Sequence, residues 1–583
     1  MVSLRQTSYI FIILIFLSGC SRISQDKLLH SIFESEWNYF LEQNPVYATS
    51  LGHKGLESRW RDLSFKSFEV RKNHAQELLL QLDKVDQHQL SKTNQLNFRL
   101  FKKMTQEDFI IEEFNHHLLP FSHRGGIQLA HEEAESLILI TSEDYRHWLS
   151  RLDNLDTRIM QTISLAREGL KQGYLAPKVL MFRVQRQIKL QIDNSIEKNP
   201  FYKVFSELPT SISMKEKQEI QFNAKEIIFN KLVPAYKELD KFFSEIYLPA
   251  SRASFGIYDT PRGKKFYETA VRFFTTTDLT PEEIHQIGLE EVKRIKADMY
   301  KVMRELSFSG SFKDFLNFLR TDERFYYQSS DELFEGYLSI TKKIDPELVK
   351  LFRTLPRTPY GLRPIPIESA PDTTTAYYMP PSPGGLRPGY YYVNLYRPET
   401  RPKYEMEVLS VHEAVPGHHL QMSLALEKKD MPMFRRMSPY TVFVEGWGLY
   451  SEGLGYEIGL YKDHYSKFGQ LTYDMWRAVR LVVDTGIHYF GWDRQRAIDF
   501  FMDNAGKSEL DIVNEIDRYI NWPGQALAYK IGQMKLLELK KKAKEQLGTK
   551  FDIRDFHDTV LREGALPLNE LEILVDTYIL DNK

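Results

Sequence analysis

Val411-His412-Glu413-Ala414-Val415-Pro416-Gly417-His418-His419-Leu420-Gln421 is a helical stretch broken by a proline-glycine pair, and it is followed downstream by Val444-Glu445-Gly446-Trp447. A histidine with a glutamate directly after it, more histidines one to two turns on, and a glutamate on a later helix supply two nitrogen ligands, a general base and an oxygen ligand for zinc. In the regular form the two histidines are four residues apart, on one helix face and about 6 Å apart along the axis. Here His418 is six residues after His412, on another face of an undistorted helix. His419 is seven after, on the right face but about 10 Å away. Pro416 has no N–H to give the carbonyl of His412, and Gly417 accepts almost any backbone angle, so a two-residue bulge is expected. With that bulge His418 becomes the second ligand, and His419 stays open as the alternative. Glu413 is then the base and Glu445 the third ligand, for one zinc ion per chain. The bland alternative is a pair of histidines at a helix kink, with Glu445 paired to an arginine.

Residues 1–19 have the form of a bacterial signal peptide: Arg5, an apolar run from Ile10 to Phe16 too short to cross a bilayer, then Leu17-Ser18-Gly19-Cys20. That last tetrad resembles a lipobox, which makes Cys20 the lipidated first residue and a membrane the partner it holds. Ser21 after Cys20 favours the outer membrane of the cell envelope, facing periplasm or surface, if the host has one. Cys20 is the one cysteine of 583 residues, so zinc ligands narrow to His, Asp and Glu. With 77 basic against 79 acidic residues there is no electrostatic case for a nucleic-acid partner. An apolar fraction of 42% is ordinary for a globular chain, and 37 phenylalanines with 32 tyrosines fit a large core.

The expected fold is mainly α. Met214 to Ile246 and Asp144 to Gln172 carry apolar residues at helical spacing, and Thr280-Pro281-Glu282-Glu283 is a helix start. Between about residues 356 and 402 proline, glycine and tyrosine cluster, which predicts a small β-sheet inserted before the metal-binding helix. Tyr390, Tyr392 and Asn394 would share one face of a strand placed to pair with an extended peptide substrate. The chain divides as an N-terminal helical lobe, 20–275, and a C-terminal one, 276–583, that bears the metal.

Arg480, Asp484 and His488 recur every four residues, so one helix face presents a carboxylate-held imidazole that could stabilise an oxyanion. Gln525 and Tyr529 are one turn apart, so both could face the cleft, with Gln525 and Arg480 as candidate substrate-binding residues and Tyr529 a second candidate oxyanion donor. Lys530 or Arg518 could bind a substrate carboxylate.

These segments, with Asp484-Thr485-Gly486-Ile487-His488 and Pro523-Gly524-Gln525-Ala526-Leu527-Ala528-Tyr529-Lys530, resemble the bacterial domain of unknown function 885 family, over nearly the whole mature chain. That family is similar to helical zinc peptidases of the gluzincin group. The resemblance implies two helical lobes flanking a deep cleft, with His412, His418 and Glu445 as ligands and Glu413 as base. The expected activity is a lipid-anchored zinc metallopeptidase acting on short peptides, carboxypeptidase- or dipeptidase-like, with metal-activated water attacking the peptide bond. A catalytically inactive binding or scaffold lipoprotein of the same fold is the alternative. No motif speaks to oligomeric state.

Overall fold

Thr280 opens its helix by reciprocal capping. Its hydroxyl accepts the Glu283 N–H at 3.2 Å, and its own N–H donates to the Glu283 carboxylate at 2.8 Å. Pro281 sits at the first helical position, where a missing N–H costs nothing. The helix Pro281–Glu305 then buries Ile284, Val292, Ile295 and Met299 and packs along the helix His464–His488. From Thr472 onward every residue of that second helix is buried, including Arg477, Arg480, Asp484 and His488. Polar groups this deep need partners inside the protein, and those partners determine what each residue can do.

This computed structural model describes residues 24–192, 195–367, 369–382, 387–437 and 440–583; the leader and Cys20 lie outside the described residues. The described chain is mainly α with one three-stranded sheet. No described helix is long and apolar enough to cross a membrane. Asp144 to Gln172 is two helices, Ser142–Asp153 and Leu155–Gln172, parted at Asn154. The helix from Met214 reaches Ala250 through two wider turns, Ile228–Leu232 and Phe243–Tyr247. Pro234 and Pro249 lie just beyond those turns, and a proline cannot donate to the carbonyl four residues back.

Two large buried clusters hold the fold, and each draws on both sides of residue 275. One joins Trp148 and Tyr236 to Tyr473 and Phe501; the other joins Phe33 and Phe101 to Trp447 and Phe556. Each such aromatic contributes roughly 1.5–3 kcal/mol by leaving water.

The sheet falls inside the expected interval: β1 Tyr360–Pro364, β2 Ala376–Met379 and β3 Gly389–Val393, in the order β1-β3-β2. β3 pairs parallel with β1 and antiparallel with β2. Tyr390 and Tyr392 do share a face, with Tyr391 buried on the other against Tyr337. As the middle strand, however, β3 has both edges occupied and cannot pair with a substrate backbone. The edge strands are β1 and β2, and of these β2 lines the cavity; period-2 alternation gives the face of a strand but not its place in the sheet.

Candidate metal centre

The proline-glycine pair breaks the helix outright. One helix, Met406–Glu413, ends as Ala414 turns to φ −95°, ψ −111°, and a second, His418–Leu426, begins after Gly417 at φ −74°, ψ −126°. The turn is tied by Gly417 N–H to the Val411 carbonyl and His419 N–H to the Ala414 carbonyl, both 3.0 Å. A β-carbon on Gly417 would overlap the carbonyl oxygen of His412, so the turn needs glycine. The indole of Trp447 donates to the Pro416 carbonyl at 2.8 Å and fixes the turn against the helix Thr441–Leu454.

That helix carries Glu445, and the break turns His418 toward it. His412 Nε2 is 3.6 Å and His418 Nε2 3.4 Å from the same oxygen, Glu445 Oε2. One ligand atom from each residue lies within 4.8 Å of the other two. Donors about 2.0–2.1 Å from a tetrahedral ion sit about 3.4 Å from one another, so the two histidine–Glu445 separations match those around zinc. Glu445 Oε2 and His418 Nδ1 are buried and make no hydrogen bond among the described residues. A cation at the centre would satisfy the carboxylate oxygen.

His412 is oriented from behind. Its Nδ1 is 2.8 Å from Glu452 Oε1, and Arg477 meets the same carboxylate at 3.1 Å. A carboxylate on one ring nitrogen fixes the proton there and leaves the other nitrogen free to ligate. The ring lies flat against Gly448, where a β-carbon would stand 2.7 Å from His412 Cε1. Gly446 meets the backbone of Gly532 in the helix Ala528–Leu547, at 2.6 Å from where its β-carbon would be. Consecutive residues 445–448 thus supply a donor, a helix contact, a clamp on the turn and a floor for the imidazole.

Burial opposes charge on His412, but Glu445 and Glu452 outweigh it and raise its pKa to about 9; burial also works against ionised Glu445, yet the two histidines hold it well below the usual carboxylate range. Burial pushes the Glu413 carboxyl up, opposed by His412 and His418. Glu413 lines the same cavity, of about 320 Å³, between the three ligands and the β2 edge.

The other anticipated residues divide. Arg480, Gln525 and Tyr529 line this cavity. Gln525 Nε2 donates to the Tyr529 hydroxyl at 3.5 Å, the Tyr529 ring is nearly parallel to that of His412 at 6.5 Å, and Arg480 stacks on it at 4.1 Å. His419 points away: its Nε2 donates to the Thr358 carbonyl at 3.0 Å and its Nδ1 meets the Tyr378 hydroxyl at 2.7 Å. Burial draws its pKa down to about 4.

Four expectations are corrected. His488 Nδ1 accepts the Ile257 N–H at 3.0 Å and its Nε2 donates to the Tyr519 carbonyl at 2.9 Å, so it joins two backbones and has no proton for an oxyanion. Asp484 does not orient it; that carboxylate accepts from Tyr267 at 2.6 Å and from the Gly524 N–H at 3.1 Å. Lys530 is 1% exposed and bound to Asp474 at 2.6 Å and Glu291 at 2.8 Å, away from the cavity. Asn394 caps the carbonyls of Ala370, Thr373 and Thr374, and Tyr390 and Tyr392 pack with Ile365 and Tyr396, so none of these three contacts the cavity.

Sequence reasoning missed Glu452, Arg477, Glu515 and Arg124. Glu452 had a signal, since it lies seven residues after Glu445 and returns to the same helix face two turns on. Arg124 had none: it reaches the cavity from a loop some three hundred residues earlier in the chain.

Fold and site together define a mainly helical protein with a His412-His418-Glu445 group that could hold a metal ion. Residues 45–575 match the family of bacterial proteins of unknown function designated DUF885, and the chain belongs to that family. A crystal structure described as a candidate lipoprotein from Colwellia psychrerythraea is similar at a TM-score of 0.90 and 28% identity, covering 96% of this chain and 100% of that one. A candidate lipoprotein of unknown function from Shewanella oneidensis shares the fold at a TM-score of 0.69 and 17% identity, over 95% of this chain and 99% of that one. No curated protein matches the chain.

Proposed function

We propose that this chain is a zinc-dependent peptidase, lipid-anchored in the bacterial envelope, with His412, His418 and Glu445 as ligands and Glu413 as base. The observation that carries the reading is two imidazoles 3.4–3.6 Å from one carboxylate oxygen, with Glu413, next to His412 in its helix, lining the same cavity. Zinc, when bound, would polarise a carbonyl and lower the pKa of a water to about 7. Glu413 takes the proton of the attacking water as its oxygen bonds the carbonyl carbon, and delivers it to the amide nitrogen as the C–N bond breaks. The Tyr529 hydroxyl already accepts from Gln525, so its proton is free to donate toward the carbonyl oxygen. Burial, reinforced by Glu445, raises its pKa and keeps it a donor.

Metal content by mass spectrometry tests the site directly. About one zinc per chain is expected in the wild type and none after His412→Ala or His418→Ala, while His419→Ala keeps it. Glu452→Gln should weaken zinc about 10- to 100-fold in chelator competition. Retention of zinc by both ligand variants would defeat the assignment. A fully loaded protein that hydrolyses no peptide would turn the reading to a binding lipoprotein.

Anchorage is supported by the Leu17-Ser18-Gly19-Cys20 tetrad and by the description of the two related structures. Cys20→Ala should move the protein from the membrane to the soluble fraction; continued membrane association would contradict a lipid on Cys20.

A further inference from the structure

The cavity wall around Tyr529 holds more positive charge than it neutralises. Four arginines line the cavity: Arg124, Arg477, Arg480 and Arg518. Arg477 is matched by Glu452, and the two carboxylates Glu413 and Glu445 face the two histidines on the metal side of the cavity. Arg124, Arg480 and Arg518 are left with Glu515. That one carboxylate is shared, at 2.9 Å from Arg480 Nη2 and 3.2 Å from Arg518 Nη2, and also accepts the Tyr519 hydroxyl at 2.5 Å. Two positive charges are therefore in excess.

The wall is also built for an acceptor. Arg480 is 3% exposed, and its Nη1 is buried without a hydrogen-bond partner among the described residues. Its Nε is held by the Tyr519 hydroxyl at 2.8 Å and its face by Tyr529, so the guanidinium cannot swing away to find one. Arg518 is likewise fixed by Gln525 at 2.7 Å. Arg124 differs in that its side chain is exposed, and it lines both this cavity and an adjoining one of about 680 Å³. A planar guanidinium offers paired donors that match a carboxylate, and like charges held together in a partly desolvated site favour an anion between them.

We propose that Arg124, Arg480 and Arg518 form a carboxylate subsite in the cavity beside the metal centre, which receives a carboxylate of the peptide substrate. The identity of the ligand rests on the peptidase reading; the subsite itself rests on the charge count and the fixed guanidinium groups. Arg480 and Arg518 are the rigid part and Arg124 the adjustable arm. Arg124 is the residue to change, because its exposed side chain is not part of the packed wall.

Isothermal titration on zinc-loaded Glu413→Gln protein, which binds without turnover, tests this with three probes. They are an alanine tripeptide, its C-terminal amide, and the amidated alanine-aspartate-alanine tripeptide. At least one carboxylate-bearing peptide is expected to bind about tenfold tighter than the uncharged amide, as a charge-assisted hydrogen bond provides. An advantage confined to the free C-terminus assigns that carboxylate; one confined to the aspartate assigns a side chain. Adding Arg124→Gln should reduce the advantage to about twofold or less, and Arg124→Lys should keep part of it. Equal affinity for all three peptides, or binding of none, overturns the subsite, as does an advantage untouched by Arg124→Gln. Hydrolysis by the wild type is scored separately. Carboxylate preference without hydrolysis leaves the subsite standing and removes the peptidase; hydrolysis without preference does the reverse.

Discussion

Glu413→Gln is expected to retain about one zinc per chain and to lose about 10²- to 10⁴-fold in kcat, the span that general-base catalysis contributes. At about 1.4 kcal/mol per decade this is roughly 3–5 kcal/mol of transition-state stabilisation. The substitution keeps shape and removes only the capacity to take a proton. Glu413 is buried in the cavity, and the three donor atoms of the cluster come from His412, His418 and Glu445 without it. A general base should therefore be separable from the metal. The decisive measurement pairs metal analysis with turnover on the same preparation. Unchanged turnover would end the role of Glu413 as base, and loss of zinc along with activity would make it part of the coordination instead.

The second large effect concerns stability. Lys530→Met should destabilise the fold by about 3 kcal/mol or more, since breaking a buried ion pair strands its partners. Nζ bonds Asp474, Glu291 and Gln533 at once; the half-exposed Arg294 also pairs with both carboxylates, at 2.8 Å from Glu291 and 3.1 Å from Asp474, so without Lys530 two carboxylates share one cation. Chemical denaturation of wild type and variant gives the size. The same experiment separates two roles for this lysine: one that bound substrate would leave the midpoint in place and raise KM. A midpoint unchanged by Lys530→Met would return Lys530 to the list of binding residues.

What the sequence disclosed follows a physical pattern. The cluster of His412, His418 and Glu445 was accessible because its cause is local: Pro416 and Gly417 cannot continue a helix, and an interrupted helix can turn His418 where a regular one cannot. The choice between His418 and His419 was not local. It depends on Thr358 and Tyr378, residues 61 and 41 positions away, which take both nitrogens of His419. His488 and Lys530 were misread for a related reason, since helical spacing tells which residues share a face but not what faces them. The capping box at Thr280 was legible because its partners are three residues apart; the split at Asn154 was not, because the apolar pattern runs through it. Tyr390, Tyr392 and Asn394 mark the same limit for strands. Alternation is visible in one chain segment, while the middle position of β3 is a property of three.

The contact of Gly446 with Gly532 has a mechanical consequence. Backbone against backbone, with no side chain between, leaves no compressible layer, so the helix bearing Glu445 and the helix bearing Tyr529 travel as one body. The His412 ring on Gly448 and the Trp447 clamp on Pro416 couple the metal turn to that body as well. The give needed to admit and release a ligand then falls to the facing wall of the cavity, Thr374 to Tyr378, which lies outside that body.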